Sequence, residues 1–434
     1  MVNLEHIRKN IILKDEIYYF DYTASGLAYK NIEDEISNIL LTYANTHSDS
    51  SLNAIITQTL YEKSRSELKK SLQLDNSFYL LPCGFGSTSA IKKFQELLGL
   101  YIPPKTKARY NIKQPSNTPL VIVGPYEHHS NEVSFREALC DIARVRLNEK
   151  GEIDLIHLEQ ILKLNQKREI IASFSVCSNV TGIITDYKKI YNLVKKYNGI
   201  VALDAASFSA YKNVDCNYFD ALFLSPHKLL GGVGSCGLLA IKKELCDLDE
   251  PTFAGGGTVS YVSRTSHMYD KNIEQLEQAG TPPILELIRA NLAYKLRDEI
   301  GKAICENENE LCEYFEKRIQ EIENLQLYTP LNLKKLPIFS FNIKGISPYD
   351  LAAILSKDFG IQTRAGCACA GPYGHELLKM KDNQKLEEKP GWLRVSLHYT
   401  HTFDDIDYFI DSLQKSIKKY HTTWAEEISM QSLF

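Results

Sequence analysis

The strongest constraint on how this chain can fold is a series of short apolar runs between about residues 80 and 245. These are PLVIVGP (119–125), EIIASFSV (169–176), GIVALDA (199–205), DALFLS (220–225) and CGLLAIK (236–242). Each is rich in β-branched or large apolar side chains and lacks the polar alternation of a half-solvated strand. That is the pattern of strands buried on both faces. Between them DYKKIYNLVKKYN (186–198) has helical spacing and runs into Asn198-Gly199, a helix stop. Strands alternating with helices predict an α/β fold around a mostly parallel sheet.

The C-terminal third reads differently. Residues 284–323 predict long helices. LPIFSFNIKG and WLRVSLHYT then read as strands, and SPYDLAAILSKDFG and TFDDIDYFIDSLQKSIKKYH as helices. This predicts a smaller α+β domain and the division 1–30, an N-terminal segment packing on the small domain; 31–283, the large domain; and 284–434, the small C-terminal domain. The polar, Pro-bearing stretch 103–119 reads as an exposed loop.

Charge and cysteine usage exclude several functions. With 50 basic and 54 acidic residues among 434, the net charge of -4 predicts no pull toward nucleic acid or an anionic membrane surface. The start, MVNLEHIRKNIILKDE, is charged throughout and lacks a signal peptide's apolar region, and no window is long and apolar enough for a membrane span. Ten cysteines without disulfide-framework spacing predict free thiols in a reducing cytoplasm.

Asp204 closes one predicted strand, and Ser225-Pro226-His227-Lys228 closes another. Ligands of open α/β sheets bind beyond the carboxyl ends of the strands, so a carboxylate and an amine converge there. That pair suits pyridoxal 5'-phosphate (PLP), with the lysine bonding to the cofactor and the carboxylate facing its pyridine nitrogen. The bland reading, a solvated lysine and a turn aspartate, stays open on this spacing alone. CGFGSTSAIKKF (83–94) adds a Gly/Ser/Thr loop entering a helix, able to hold a phosphate. YEHHSNE (126–132) and SVCSNVTG (175–182) each follow a strand and offer an imidazole and Asn179. GGVGSCG (231–237) contains the dinucleotide-binding glycine pattern, but it precedes a strand instead of opening a helix, so a nicotinamide site is not expected.

QTRAGCACAGPYG (362–374) places Cys367 and Cys369 one residue apart. A zinc site lacks a second cysteine pair, and a disulfide across one residue is strained, which leaves a nucleophile or a bystander.

With these stretches in view, the chain resembles the class V aminotransferase family of fold-type I PLP enzymes, and within it the cysteine desulfurases and selenocysteine lyases. The matching elements are DYTAS, GSTSA, EHHSN, SNVTG, LDAAS, SPHK, AGGGT, EQAGTP, RAGCAC and RVSLHYT, in family order from residue 17 to 402. The resemblance implies a large domain with a seven-stranded-type sheet, PLP as cofactor and a homodimer. It makes Lys228 the Schiff-base lysine, Asp204 the pyridinium partner, and His128 the ring-stacking imidazole, with His129 as its neighbour. Asn179 would contact the phenolic oxygen. Ser87, Thr88, Ser225 and His227 would hold the phosphate, Thr258 would reach a phosphate across the dimer interface, and Ser207 stands near the cofactor oxygen where the desulfurases often carry Gln. Arg394 would bind the substrate carboxylate, because its planar fork matches two carboxylate oxygens.

In the desulfurases the cysteine of R-x-G-x-x-C attacks the substrate sulfur. Arg364 to Cys369 fit that pattern, which makes Cys369 the nucleophile and leaves Cys367 a bystander or second sulfur acceptor. The implied activity is cleavage of the C–S bond of L-cysteine, or the C–Se bond of selenocysteine, to alanine, with no metal and with the sulfur passing to an acceptor protein or thiol. Ser207, the length of 103–119 and the 24 residues between Cys369 and Arg394 depart from the desulfurase pattern. They keep open a class V aminotransferase or lyase in which Cys369 is not catalytic. A non-catalytic metal- or protein-binding module using the C-x-C loop is the more distant alternative.

Overall fold

The computed structural model describes residues 3–46, 48, 50–331, 333–381 and 390–431, with side chains of the last helix described as far as residue 422. Of the 24 residues between Cys369 and Arg394, 382–389 lie outside the described residues. The chain forms two compact units. The larger comprises Gly26–Cys177 and Thr185–Glu299, and the smaller Met1–Ser25, Ser178–Ile184 and Ile300–Phe434.

The larger unit is built on a seven-stranded sheet in the order Phe78–Cys83, Gly237–Lys242, Ala221–Leu224, Ile200–Asp204, Ile170–Ser175, Leu120–Val123, Asp141–Arg144. Gly237–Lys242 runs antiparallel to both its neighbours, and the remaining pairs are parallel. This is the expected α/β architecture. Every residue of Leu120–Val123, Ile170–Ser175 and Ala221–Leu224 is buried, which explains their unbroken apolar reading. On one face Ile91 and Phe94 of the helix Gly86–Leu97 pack with Phe223, Leu239 and Ile241. The helix predicted over 186–198 spans Tyr187–Lys195 and buries Ile190 and Val194.

Two strands of this sheet escaped the sequence pattern, and both are its edge strands. Asp141–Arg144 carries a charge at each end and buries none of its residues, as suits an edge that must not attract another chain. Phe78–Cys83 carries Pro82, a residue tolerated in a sheet mainly at its edge. Residues 103–119 are mostly exposed, as expected, but they include the short helix Pro104–Arg109, started by a proline whose missing N–H costs nothing at that position.

The smaller unit has a four-stranded antiparallel sheet, ordered Leu325–Leu327, Ile338–Ile343, Trp392–Ser396, Arg364–Gly366. Helices Lys302–Ile319, Pro348–Phe359 and Phe403–Gln431 accompany it. Gly301, at φ 59, separates the first of these from Ile284–Ile300. Phe315, Phe339, Phe341, Leu355, Phe409 and Leu413 fill the core together with Phe20. The N-terminal strand Tyr18–Tyr19 pairs with Ile361–Gln362, and Asp21 bridges to Ser396. Among the described residues no helix is long and apolar enough to cross a membrane.

Two buried histidines join the N-terminal segment to this unit. The His398 ring stacks on Tyr22 at 3.9 Å and the His401 ring on Phe20 at 4.5 Å. His401 Nδ1 accepts from the His398 amide at 3.0 Å, so its proton sits on Nε2 and is donated to the Tyr19 carbonyl. Burial lowers His401 from 6.5 to about 4 and holds His398 well below its usual value. Both stay neutral in the fold while the unfolded chain takes up protons, so stability is full above about pH 6.5 and falls as pH drops toward 4. The expected loss from His401 alone is about 3 kcal/mol, read from urea midpoints between pH 7 and pH 4. A flat stability profile over that range would contradict it.

Candidate active site

Because six strands of the large sheet are parallel, their carboxyl ends share one edge, and the predicted cofactor residues of the larger unit other than Thr258 lie at or after those ends. Asp204 ends its strand, 5 % exposed, with Oδ1 accepting from the Ala206 amide at 2.9 Å. Burial raises its pKa, against the Ala206 hydrogen bond and the Lys228 charge. Lys228 ends the 3-10 turn Pro226–Lys228, and its Nζ donates to Ser207 Oγ at 3.2 Å.

Nearby, the Ser87 amide at the start of the helix Gly86–Leu97 donates to Ser225 Oγ at 2.8 Å. Gly86 has φ +58, and a Cβ there would stand 3.0 Å from both Ser225 Oγ and His227 Cε1. A side chain would therefore fill the cradle formed by the helix start, Ser225 and His227. Thr88 Oγ1 bonds Ser130 Oγ at 2.7 Å, and Ser130 in turn holds His128. Its amide donates to His128 Nδ1 at 3.1 Å, which places the proton of a neutral ring on Nε2. Thr258 is fully buried, its hydroxyl donating to the Gly255 carbonyl at 2.8 Å.

The donor set fits pyridoxal phosphate. A helix start with two hydroxyls and an imidazole suits a phosphate, and a buried carboxylate whose ionised form is disfavoured suits a cationic pyridine nitrogen.

Glu127, passed over in the sequence, underlies this arrangement. It is 1 % exposed; Oε1 accepts from the Ser175 amide at 2.9 Å and Oε2 from Ser175 Oγ and Asn131 Nδ2 at 2.6 and 2.7 Å. It ties the end of strand Ile170–Ser175 to the turn that carries His128. Burial pushes its pKa up to about 7, against the hydrogen bonds from Ser175 and Asn131, with the nearby Asp204 charge adding to the rise. Its position beside the EHH pair was the only sequence signal for it.

The smaller unit holds the other predicted residues. Arg394 lies on Trp392–Ser396, 2 % exposed, and donates through Nη1 to the Asn179 carbonyl at 3.0 Å and through Nη2 to Asp21 Oδ1 at 2.8 Å. Among the described residues its Nε has no partner, and neither does Asn179 Oδ1. Burial lowers the Arg394 pKa, against the charge of Asp21. Asn179 belongs to this unit through the segment Ser178–Ile184, and its Nδ2 donates to the Ala368 carbonyl at 2.7 Å.

Ala368 precedes Cys369 in a tight turn, closed by the Ala370 amide on the Cys367 carbonyl at 3.0 Å. Its central residues, Ala368 and Cys369, have φ 51 and 57, the double positive φ of a type I′ turn. Non-glycine residues pay about 1 kcal/mol or more each in that region, and such strain gathers at functional sites. The result is an exposed Cys369 thiol on a turn pinned by Asn179, with Cys367 half-buried. Both thiols are free, and among the described residues no group of three or more His, Cys, Asp or Glu could hold a metal.

Comparison with known proteins identifies the family and the fold. The model of the aminotransferase class-V family matches residues 18–409. A probable cysteine desulfurase of Pyrococcus abyssi is 28% identical over 429 residues, covering 96% of this chain and 99% of its own. One of Borreliella burgdorferi is 27% identical over 414 residues, covering 93% and 92%. Among solved structures, the apo cysteine desulfurase of Thermococcus onnurineus superposes with a TM-score of 0.81 at 25% identity, covering 96% of this chain and 99% of that one. The cysteine desulfurase CsdA of Escherichia coli, at 21% identity with a TM-score of 0.77 and coverage of 96% and 99%, shares the fold.

Proposed function

Because the chain belongs to the class-V aminotransferase family, we propose that it is a PLP-dependent cysteine desulfurase-like enzyme that removes sulfur from L-cysteine, leaving alanine and a persulfide on Cys369. The observation that carries this reading beyond the family is the turn at 367–370, which presents an exposed thiol in a strained backbone that a bystander cysteine does not need.

In the larger unit, Lys228 would hold the cofactor and move the substrate α-proton. Asp204 would face the pyridine nitrogen, and Ser87, Thr88, Ser225 and His227 the phosphate. His128 would stack on the ring with its Nε2 proton available. Pyridoxal phosphate, when bound, supplies an electron sink for the carbon chain of the substrate.

In the smaller unit, Arg394 would bind the α-carboxylate through its unmatched Nε edge. Cys369, as thiolate, forms an S–S bond with the substrate sulfur while the substrate's C–S bond breaks and its electrons stay with the carbon fragment. The persulfide sulfur then passes to an acceptor protein or thiol. A homodimer in which Thr258 contributes to the neighbouring site, and a cytoplasmic location, follow from the same reading. Selenocysteine is the natural alternative substrate.

The test is incubation of PLP-loaded protein with L-cysteine and a reductant, measuring sulfide and alanine. Wild type should give the two in equal amounts, and Cys369→Ala should lose at least about 99 % of the sulfide, since it lacks the nucleophile. Equal turnover by Cys369→Ala would remove the desulfurase reading.

A further inference from the structure

Arg364 and Arg394 are direct cross-strand partners in the smaller sheet. Like charges placed directly opposite on neighbouring strands destabilise the pair. What stands with them is Asp21, 7 % exposed, brought beside the sheet by its bridge to Ser396. Its Oδ1 takes Arg394 Nη2 at 2.8 Å, and its Oδ2 takes Arg364 Nε at 3.0 Å and Nη2 at 2.9 Å. One carboxylate therefore clamps two guanidinium groups, and the three side chains carry a net charge of +1.

The two arginines differ in surroundings. Arg394 is sealed in, while the Arg364 side chain is 48% exposed on the strand Arg364–Gly366, which leads directly into the turn that carries Cys369. Burial works against the Arg364 charge, but the hydrogen bond and charge of Asp21 outweigh it. We propose that Asp21 is a positioning residue that orients Arg394 for a single substrate carboxylate and, by neutralising half of the arginine pair, limits the positive field at Cys369. The carboxylate part of this assignment rests on the desulfurase reading; the field at Cys369 does not.

The chemical logic is a balance. A thiolate nucleophile gains from nearby positive charge, but a thiolate held too stably is a poorer nucleophile. Two unshielded guanidinium groups would also draw in a second anion where the substrate needs to place one. Other titratable groups on the surrounding elements include Tyr19, which feels both arginines, Tyr349 beside Gly366, Cys367, and Tyr373, His375 and Glu376 on the helix Gly371–Leu377. Asp21 bonds both guanidinium groups directly.

The experiment is iodoacetamide alkylation of Cys369 in the full-length protein across pH 6 to 9.5, resolved from the other cysteines by peptide mass spectrometry, alongside the KM for L-cysteine. In Asp21→Asn the alkylation midpoint should fall by about half a unit to one unit, giving about three- to tenfold more thiolate at neutral pH, while KM rises several-fold. Asp21→Glu keeps the charge but displaces it, so it should raise KM and leave the midpoint at the wild-type value. An unchanged or raised midpoint in Asp21→Asn, or a shift in Asp21→Glu as large as in Asp21→Asn, would overturn the proposal. Should Asp21→Asn not fold, Arg364→Gln reads the same field from the other side: its midpoint must rise, and an unchanged one counts against the proposal. Failure of the desulfurase reading would appear separately, as sulfide release by Cys369→Ala with these alkylation midpoints unaffected.

Discussion

Lys228→Ala is expected to lower turnover of L-cysteine by about a thousandfold, within the range that a positioned general acid–base group contributes. The purified variant should also lose the visible absorbance that covalent attachment of the cofactor to lysine produces. Lys228 is half-buried at the end of a 3-10 turn and its ammonium bonds Ser207 Oγ at 3.2 Å, so its removal empties no part of the core. The melting temperature should consequently stay within a few degrees of wild type. Partial rescue by added methylamine would separate loss of the proton-moving amine from a collapsed site. A variant that retained full turnover would mean that Lys228 does not perform the chemistry assigned to it.

Arg394→Ala is the second large effect, and it acts on stability and activity together. The side chain is 2 % exposed, and it neutralises part of Asp21 while satisfying the Asn179 carbonyl. Removing one partner of a buried ion pair costs about 3–5 kcal/mol. The low end is expected here, because Arg364 remains to pair Asp21. Loss of charge-assisted bonds to a substrate carboxylate should lower kcat/KM for L-cysteine by about a hundredfold. Arg394→Lys keeps the charge but not the planar fork, so it should recover stability more than kcat/KM. Equal recovery of both would show that the fork is not used for the carboxylate.

Much of the large sheet was legible because strands buried on both faces leave unbroken apolar runs, as Ile170–Ser175 and Ala221–Leu224 do. Edge strands leave no such trace: Asp141–Arg144 is too short and too charged to form an apolar run, and Phe78–Cys83 contains a proline. The residues proposed to hold the cofactor were legible for a related reason. Asp204 and Lys228 each follow a strand, and a parallel sheet gathers such positions on one edge. Glu127 was not, since a carboxylate beside two histidines reads as solvated until its three hydrogen bonds from Ser175 and Asn131 are seen.

The amino-acid sequence by itself determined the fold class, the family and the residue types available for catalysis, because hydrophobic periodicity and local motifs depend on near neighbours along the chain. Only the tertiary structure decided which of these residues meet. Asn179, Asp21, Arg364 and Arg394 lie up to 373 positions apart, yet they form one hydrogen-bonded group in the smaller unit. Strand register made Arg364 and Arg394 opposite neighbours, and the bridge of Asp21 to Ser396 brought the balancing charge. Register and long-range pairing depend on where distant segments pack, and no local pattern encodes that.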